Sequence, residues 1–200
     1  IYATFMAKPM ENEPGSSMHW HISLRRSDGT NAFSNADGSE SDMFRNFIGG
    51  LQKYGPETTI FLAPYVNSYR RFTRYMSAPI NLEWGYDNRT VGLRVPQSDP
   101  DNRRIENRIA GADVNPYLAI AASLACGLLG IEEGLQPGAP EAVDDAVDQR
   151  ILGADDGQAD ALFTGEAGQA VEVVAEVVGD RHGDVDHLLD ERVQGSRRHH

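Results

Sequence analysis

Two histidines two residues apart, His19 and His21, are the first groups in this sequence that could do chemistry. They lie in a strictly alternating stretch. Met18, Trp20, Ile22 and Leu24 fall on one side, and His19, His21 and Ser23 on the other. That pattern predicts a strand with one polar face. Two imidazoles on one strand face can hold a metal ion, or one can meet a metal and the other a phosphate. The plainer alternative is a half-exposed strand carrying two ordinary histidines. Gly15-Ser16-Ser17, just upstream, permits a close backbone approach to a ligand.

Arginines form the second group. Arg70, Arg71, Arg74, Arg89, Arg94, Arg103, Arg104 and Arg108 are eight of the 13 basic residues in positions 1–136. Arginine is favoured over lysine where a carboxylate or phosphate is gripped by two parallel hydrogen bonds. Five acids stand between Arg70 and Arg108, fewer than the arginines, so positive charge is left over for an anionic ligand. Glu106 is the third group. Arg104, Glu106 and Arg108 recur at period two, so an extended backbone would point all three to one face. Glu106 reads either as an ion-pair element or as a metal ligand.

These groups need elements to hold them. Asp42 to Tyr54 has helical spacing, with Met43, Phe47 and Leu51 in one stripe and Phe44 and Ile48 beside it. Ser41 or Asp42 can cap its start, and Gly55-Pro56 ends it. Thr90 to Val95 alternates as a second strand. Asn115-Pro116 opens another helix, with Asn as the cap, Pro in the first turn and Tyr117 to Ile131 as the body. Strands parted by irregular segments, followed by helices, predict an α+β fold rather than a doubly wound parallel sheet.

Charge divides the chain. Residues 1–136 carry 15 acidic and 13 basic side chains, and residues 137–200 carry 15 and 5. Neither part is a basic surface, so nucleic acid is not expected as a partner. No apolar run reaches the roughly 18–20 residues of a membrane span, and no leader peptide is recognisable. The chain begins with Ile rather than Met, which places the expected start of the protein upstream. A single cysteine, Cys126, predicts a reducing, cytoplasmic setting. From 137 onward the sequence lacks Lys, Tyr, Trp, Asn and Met, and holds one Phe. Val171 to Val178 could form a short element. The segment 137–200 reads as an atypical acidic tail, either disordered or an out-of-frame translation of GC-rich DNA.

No Walker, Rossmann, Gly-x-Ser-x-Gly or Cys-x-x-Cys motif occurs. The residues above instead resemble the glutamine synthetase superfamily. Lys8-Pro9 followed by Gly15-Ser16-Ser17-Met18-His19-Trp20-His21 is similar to its Lys-Pro…Gly-Ser-Gly-Met-His-x-His signature. Asn67-Ser68-Tyr69-Arg70-Arg71, Asn88-Arg89-Thr90, Arg94-Val95-Pro96, Arg103-Arg104-Ile105-Glu106 with Arg108, and Ala112 to Tyr117 resemble later blocks in family order. The resemblance covers residues 1–136 and implies the C-terminal part of the catalytic domain. There, antiparallel strands form the active-site sheet and helices pack outside.

It also implies roles. His19 and Glu106 would hold a divalent ion, Mg²⁺ or Mn²⁺, on the phosphates of ATP. His21, Arg94 and Arg104 would face the nucleotide phosphates. Gly15 would bind substrate, and Arg71, Arg89 and Arg108 would hold glutamate and its γ-carboxyl as it is phosphorylated, Arg71 and Arg89 being the catalytic pair. The implied reaction phosphorylates that carboxyl and lets an amine nitrogen displace phosphate. Two departures bear on the amine. Pro14 stands where ammonia-using members carry Asn, and Met76-Ser77-Ala78-Pro79 replaces Tyr-Glu-Ala-Pro, removing a carboxylate that handles ammonium. The wording is closer to the γ-glutamylpolyamine (γ-glutamylputrescine) synthetase branch. An ammonia-using glutamine synthetase and a non-catalytic relative are the alternatives. The resemblance implies ring-shaped homo-oligomers. With only one His and one Glu of the metal set, this chain alone is expected to be inactive.

Overall fold

The computed structural model describes residues 3–73 and 76–142. Four three-residue strands form one sheet: β1 (Trp20–Ile22), β2 (Trp84–Tyr86), β3 (Leu93–Val95) and β4 (Ile105–Asn107), in the order β1-β4-β3-β2. β4 lies inside, antiparallel to β1 through Trp20↔Asn107, His21↔Glu106 and Ile22↔Ile105, and to β3 through Leu93↔Asn107 and Arg94↔Glu106. The period-two reading of residues 18–24 and 104–108 is met, although regular pairing is confined to three residues in each strand. Isolated bridges extend the β1 region on either side, Ser17 to Gly111 and Arg25 to Asn31.

The sheet is mixed, which corrects the expectation of an antiparallel one. β2 runs parallel to β3 with Trp84↔Leu93, Gly85↔Arg94 and Tyr86↔Val95 in register. A parallel return usually needs a long crossover. Here the strands are so short, roughly 10 Å each, that the six residues 87–92 can cover the way back. Asp87 starts this loop in the left-handed region at φ 50°, which Asp tolerates better than most residues. Asn88 knits it, its side-chain oxygen accepting from the Thr90 amide at 2.9 Å and hydroxyl at 2.7 Å.

Two helices back the sheet. α1 (Asp42–Tyr54) is capped by Ser41, whose hydroxyl accepts from the Phe44 amide at 3.2 Å. Two single turns follow, α2 (Thr59–Leu62) and α3 (Val66–Tyr69), which carry no sequence periodicity of their own. α4 (Pro116–Glu133) starts at Asn115, whose side chain accepts from the amides of Tyr117 and Leu118, and stops at Gly134 with φ 65°. By length and composition α4 could cross a membrane, and half of it is buried inside the fold. α1 and α4 touch backbone to backbone. A Cβ on Gly50 would lie 2.1 Å from the Cys126 carbonyl oxygen, and one on Gly130 2.2 Å from that of Asn46. Only glycine allows this approach.

Above that contact, Phe33, Phe44, Phe47, Ile48, Trp84, Leu93, Ile105 and Cys126 form the main core. Phe33 meets Phe44 and Phe47 edge to face at 5.5 and 5.4 Å. A second cluster, Leu62, Ala63, Phe72, Ile109, Ala110, Val114 and Ala119, lies under the loops beside β1. After α4 the chain returns along the outer edge of β2. The Trp84 indole donates to the Gly138 carbonyl at 2.8 Å, and the Glu141 amide donates to the Trp84 carbonyl at 2.8 Å. The acidic segment from 143 to 200, with the expected element at Val171–Val178, lies outside the described residues, as does Arg74.

Candidate functional site

Because strand side chains alternate, the face of the sheet turned away from α1 and α4 receives His19, His21, Arg94, Arg104, Glu106 and Arg108. The register puts His21, Glu106 and Arg94 in one row across three strands. Glu106 is its centre, with a side chain 6% exposed. Its Oε2 pairs with Arg94 Nη1 at 2.7 Å, and its Oε1 with Arg108 Nη1 at 3.1 Å and His19 Nδ1 at 3.2 Å. Burial disfavours the charged carboxylate. The Arg94 hydrogen bond and the charges of Arg108, Arg94 and His19 outweigh it, holding Glu106 below the usual carboxylate range. Arg94 also pairs with Asp87.

The two histidines differ. The His19 side chain is 31% exposed, and partial burial and Arg108 lower its pKa against the pull of Glu106. Both effects favour the neutral imidazole, the form a metal ligand needs. His21 stands at the exposed end of the row. Arg104 Nε donates to its Nδ1 at 3.1 Å, and Arg104 Nη1 is tied to the Asn102 carbonyl at 3.1 Å. An arginine nitrogen only donates, so Nδ1 of His21 must carry the lone pair and Nε2 the proton. Burial and the two arginines Arg104 and Arg94, against Glu106, lower its pKa as well. His21 thus offers a neutral N–H donor, a group suited to a phosphate oxygen. Arg104 sits behind it rather than beside it.

Gly15 and Arg71 form a separate station next to this row. Arg71 is 1% exposed, with Nη1 donating to the Ile109 carbonyl at 3.1 Å and Nη2 to the Ser17 hydroxyl at 2.5 Å. Burial draws its pKa down to about 10 against the pull of Asp113. The Gly15 backbone lies on the Arg71 stem; a Cβ there would be 2.7 Å from Arg71 Cγ and 2.8 Å from the Ala7 carbonyl oxygen. Arg71 therefore fixes the turn that leads into His19. Arg89, on the loop between β2 and β3, is exposed and has no hydrogen bond or ion pair among the described residues. Its charge is near enough to lower the pKa of Arg108.

Sequence reasoning grouped Arg103 with this cluster. The structure spends it elsewhere: its guanidinium donates to Ser34 Oγ and to the carbonyls of Phe33, Gly38 and Ser39, and lies over the Phe44 ring. Asp87, the second anchor of Arg94, was missed, although Asp-Asn after Gly85-Tyr86 is a turn signal. Asp113, which accepts from the Ser68 hydroxyl at 2.7 Å near Arg71, had no such signal.

The metal expectation can be tested on the donor atoms. An octahedral ion with bonds of about 2.1 Å places neighbouring ligands about 3 Å apart. The separation of 3.2 Å between His19 Nδ1 and Glu106 Oε1 fits one edge of such a shell. Among the described residues no group of three or more His, Cys, Asp or Glu is poised for a metal. This pair could supply two positions, and other groups must supply the rest.

Comparison with known proteins identifies the family. The family model for the glutamine synthetase catalytic domain matches residues 1–152. The chain is 47% identical over 135 residues to the γ-glutamylputrescine synthetase PuuA of Escherichia coli K12, covering 68% of this chain and 29% of that protein. It is 39% identical over 175 residues to the glutamine synthetase of Thermococcus kodakarensis, covering 86% and 38%. A solved structure described as "Apo GmaS without ligand" superposes with a TM-score of 0.64 at 29% identity, over 92% of this chain and 46% of that one. The chain thus spans about a third of the length of these curated relatives. The family match, over three quarters of its length, shows that the chain belongs to the glutamine synthetase catalytic-domain family.

Proposed function

We propose that this chain is the C-terminal part of an ATP-dependent ligase that joins the γ-carboxyl of glutamate to an amine through a γ-glutamyl phosphate. The observation that carries the reading is the row His21–Glu106–Arg94 with His19 and Arg108 beside it. It combines a candidate ion edge, an N–H donor and guanidiniums on one face. His19 and Glu106 would hold Mg²⁺ or Mn²⁺, which supplies charge neutralisation on the transferred phosphoryl group. His21 donates Nε2–H to a phosphate oxygen, with Arg104 behind it and Arg94 alongside. Arg89 and Arg108 are placed to meet the carboxylate that receives the phosphoryl group. Arg71 and Gly15 fix the turn that presents His19 and the glutamate side of the site.

The acceptor is an amine rather than ammonia in this reading. The exposed Ser77 leaves no carboxylate where ammonia-using members handle ammonium, and Pro14 replaces the Asn that helps them hold glutamate. The E. coli relative, named for putrescine, shares more identity with this chain than the Thermococcus glutamine synthetase does. The longer match to the latter keeps ammonia as the second reading. The full-length protein would be a cytoplasmic ring of identical subunits. Assay of it with ATP, glutamate and, in turn, putrescine, ethanolamine and ammonium decides the acceptor. Turnover with putrescine above ammonium is expected, and ammonium exceeding both amines would end the amine reading. The 200-residue chain alone is expected to release no glutamate-dependent phosphate from ATP.

A further inference from the structure

Arg108 occupies an unusual position between the two candidate metal donors. One nitrogen, Nη1, is 3.1 Å from Glu106 Oε1 and 3.5 Å from His19 Nδ1, and those two atoms are 3.2 Å apart. The three atoms form a nearly equilateral triangle. An ion bound to both donors on this side would lie within van der Waals contact of Nη1, so both cations cannot be seated there together.

Tethering separates Arg108 from the other arginines. Arg94 is held by both Glu106 and Asp87, Arg71 by Ile109 and Ser17, and Arg104 by His21 and Asn102. Among the described residues Arg108 has hydrogen bonds only through Nη1, and its buried Nε, like those of Arg71 and Arg94, has no partner. Its contacts are with the metal donors themselves. Arg94 and Arg89 repel it, and Glu106 is what retains it.

We infer that Arg108 is the resident counter-cation of the His19–Glu106 pair, and that a divalent ion and this guanidinium compete for the same two donor atoms. Seating the ion expels Arg108 from the pair and leaves its guanidinium unpaired in a largely buried setting. Such a group demands an anion. Ion loading thereby creates the carboxylate-binding form of Arg108, and by linkage an anionic ligand on Arg108 favours the ion. The identity of that carboxylate rests on the ligase reading; the competition itself does not.

Mn²⁺ is the probe, and paramagnetic broadening of the His19 ring signals in the ¹⁵N-histidine-labelled chain is the readout, which registers millimolar binding. Arg108→Gln is expected to lower the Mn²⁺ midpoint about tenfold at 0.3 M salt. Arg89→Gln removes the same charge without touching the donors, and should shift it less than about twofold at that salt. Arg108→Lys, which keeps the charge but shortens the fork, should fall between the two and serves if the Gln variant does not fold. Glu106→Gln should abolish broadening in every background. Equal midpoints for the parent and Arg108→Gln, with broadening still dependent on Glu106, overturn the competition and leave the metal pair standing. Broadening that survives Glu106→Gln, or none at His19 in any protein, overturns both.

Discussion

The two faces of the sheet are built on opposite plans. The back face, on α1 and α4, is aromatic and aliphatic and closes on a glycine contact with no room for a methyl group. The front face holds one buried carboxylate among three cationic or imidazole partners, with buried Nε atoms on Arg94 and Arg108 that no described residue satisfies. Dense packing leaves the back one arrangement. The front is under-satisfied, and buried polar groups in that condition carry free energy that a ligand can recover. The face proposed to bind is the one the fold leaves incomplete.

The sharpest way to break this comparison is to cut into each face. Phe47→Ala removes a ring that packs on Phe33 and on Gly127, and should cost about 4 kcal/mol in urea unfolding. Glu106→Ala strands two largely buried guanidiniums and should cost about 3 kcal/mol. Replacing Arg108 with Met, by contrast, should cost well under 1 kcal/mol or stabilise the chain, because it also removes a poorly satisfied charge. A large loss there would mean the front is as tightly built as the back. Ser41→Ala, which unties the cap of α1, should cost about 1 kcal/mol. Lys53→Ala breaks the exposed pair with Glu133 and should change stability by less than about 0.5 kcal/mol.

Acid should separate the faces further. Glu106 has a folded pKa below its ordinary value of 4.5, so its contribution is present above that value and is lost as pH falls through the folded pKa. His19 has a folded pKa below its ordinary value of 6.5, so the unfolded chain takes up its proton first and stability begins to fall below about 6.5. Both act in the same direction. With chelator present, Glu106→Gln should flatten the decline below about pH 4.5 and His19→Gln the decline beginning near 6.5. Phe47→Ala should lower the curve without changing its shape.

The back face was legible in the sequence because its signals are local. Ser41, the Met43–Phe47–Leu51 stripe, Asn115-Pro116 and the turn at Gly55 specify α1 and the start of α4 from neighbouring residues alone. The front was legible only as strand faces. Period two gave the common side of Arg104, Glu106 and Arg108, but not which arginine each acid would take. β2 was missed because three residues with Gly85 in the middle carry no periodicity, and its parallel direction depends on how short the neighbouring strands are. Arg103 was misplaced because an arginine that caps carbonyls looks the same in sequence as one that awaits an anion.

The strap of residues 138–142 along β2 decides where this molecule can be shortened. A chain ended at 136 would strip the buried Trp84 indole of its acceptor and the Trp84 carbonyl of the Glu141 amide. The outer rim of the sheet would then offer unpaired backbone groups, a template on which a second molecule can add a strand. Trimming the acidic segment from its far end, up to Ala142, leaves that rim covered; trimming six residues further converts it into a site of self-association.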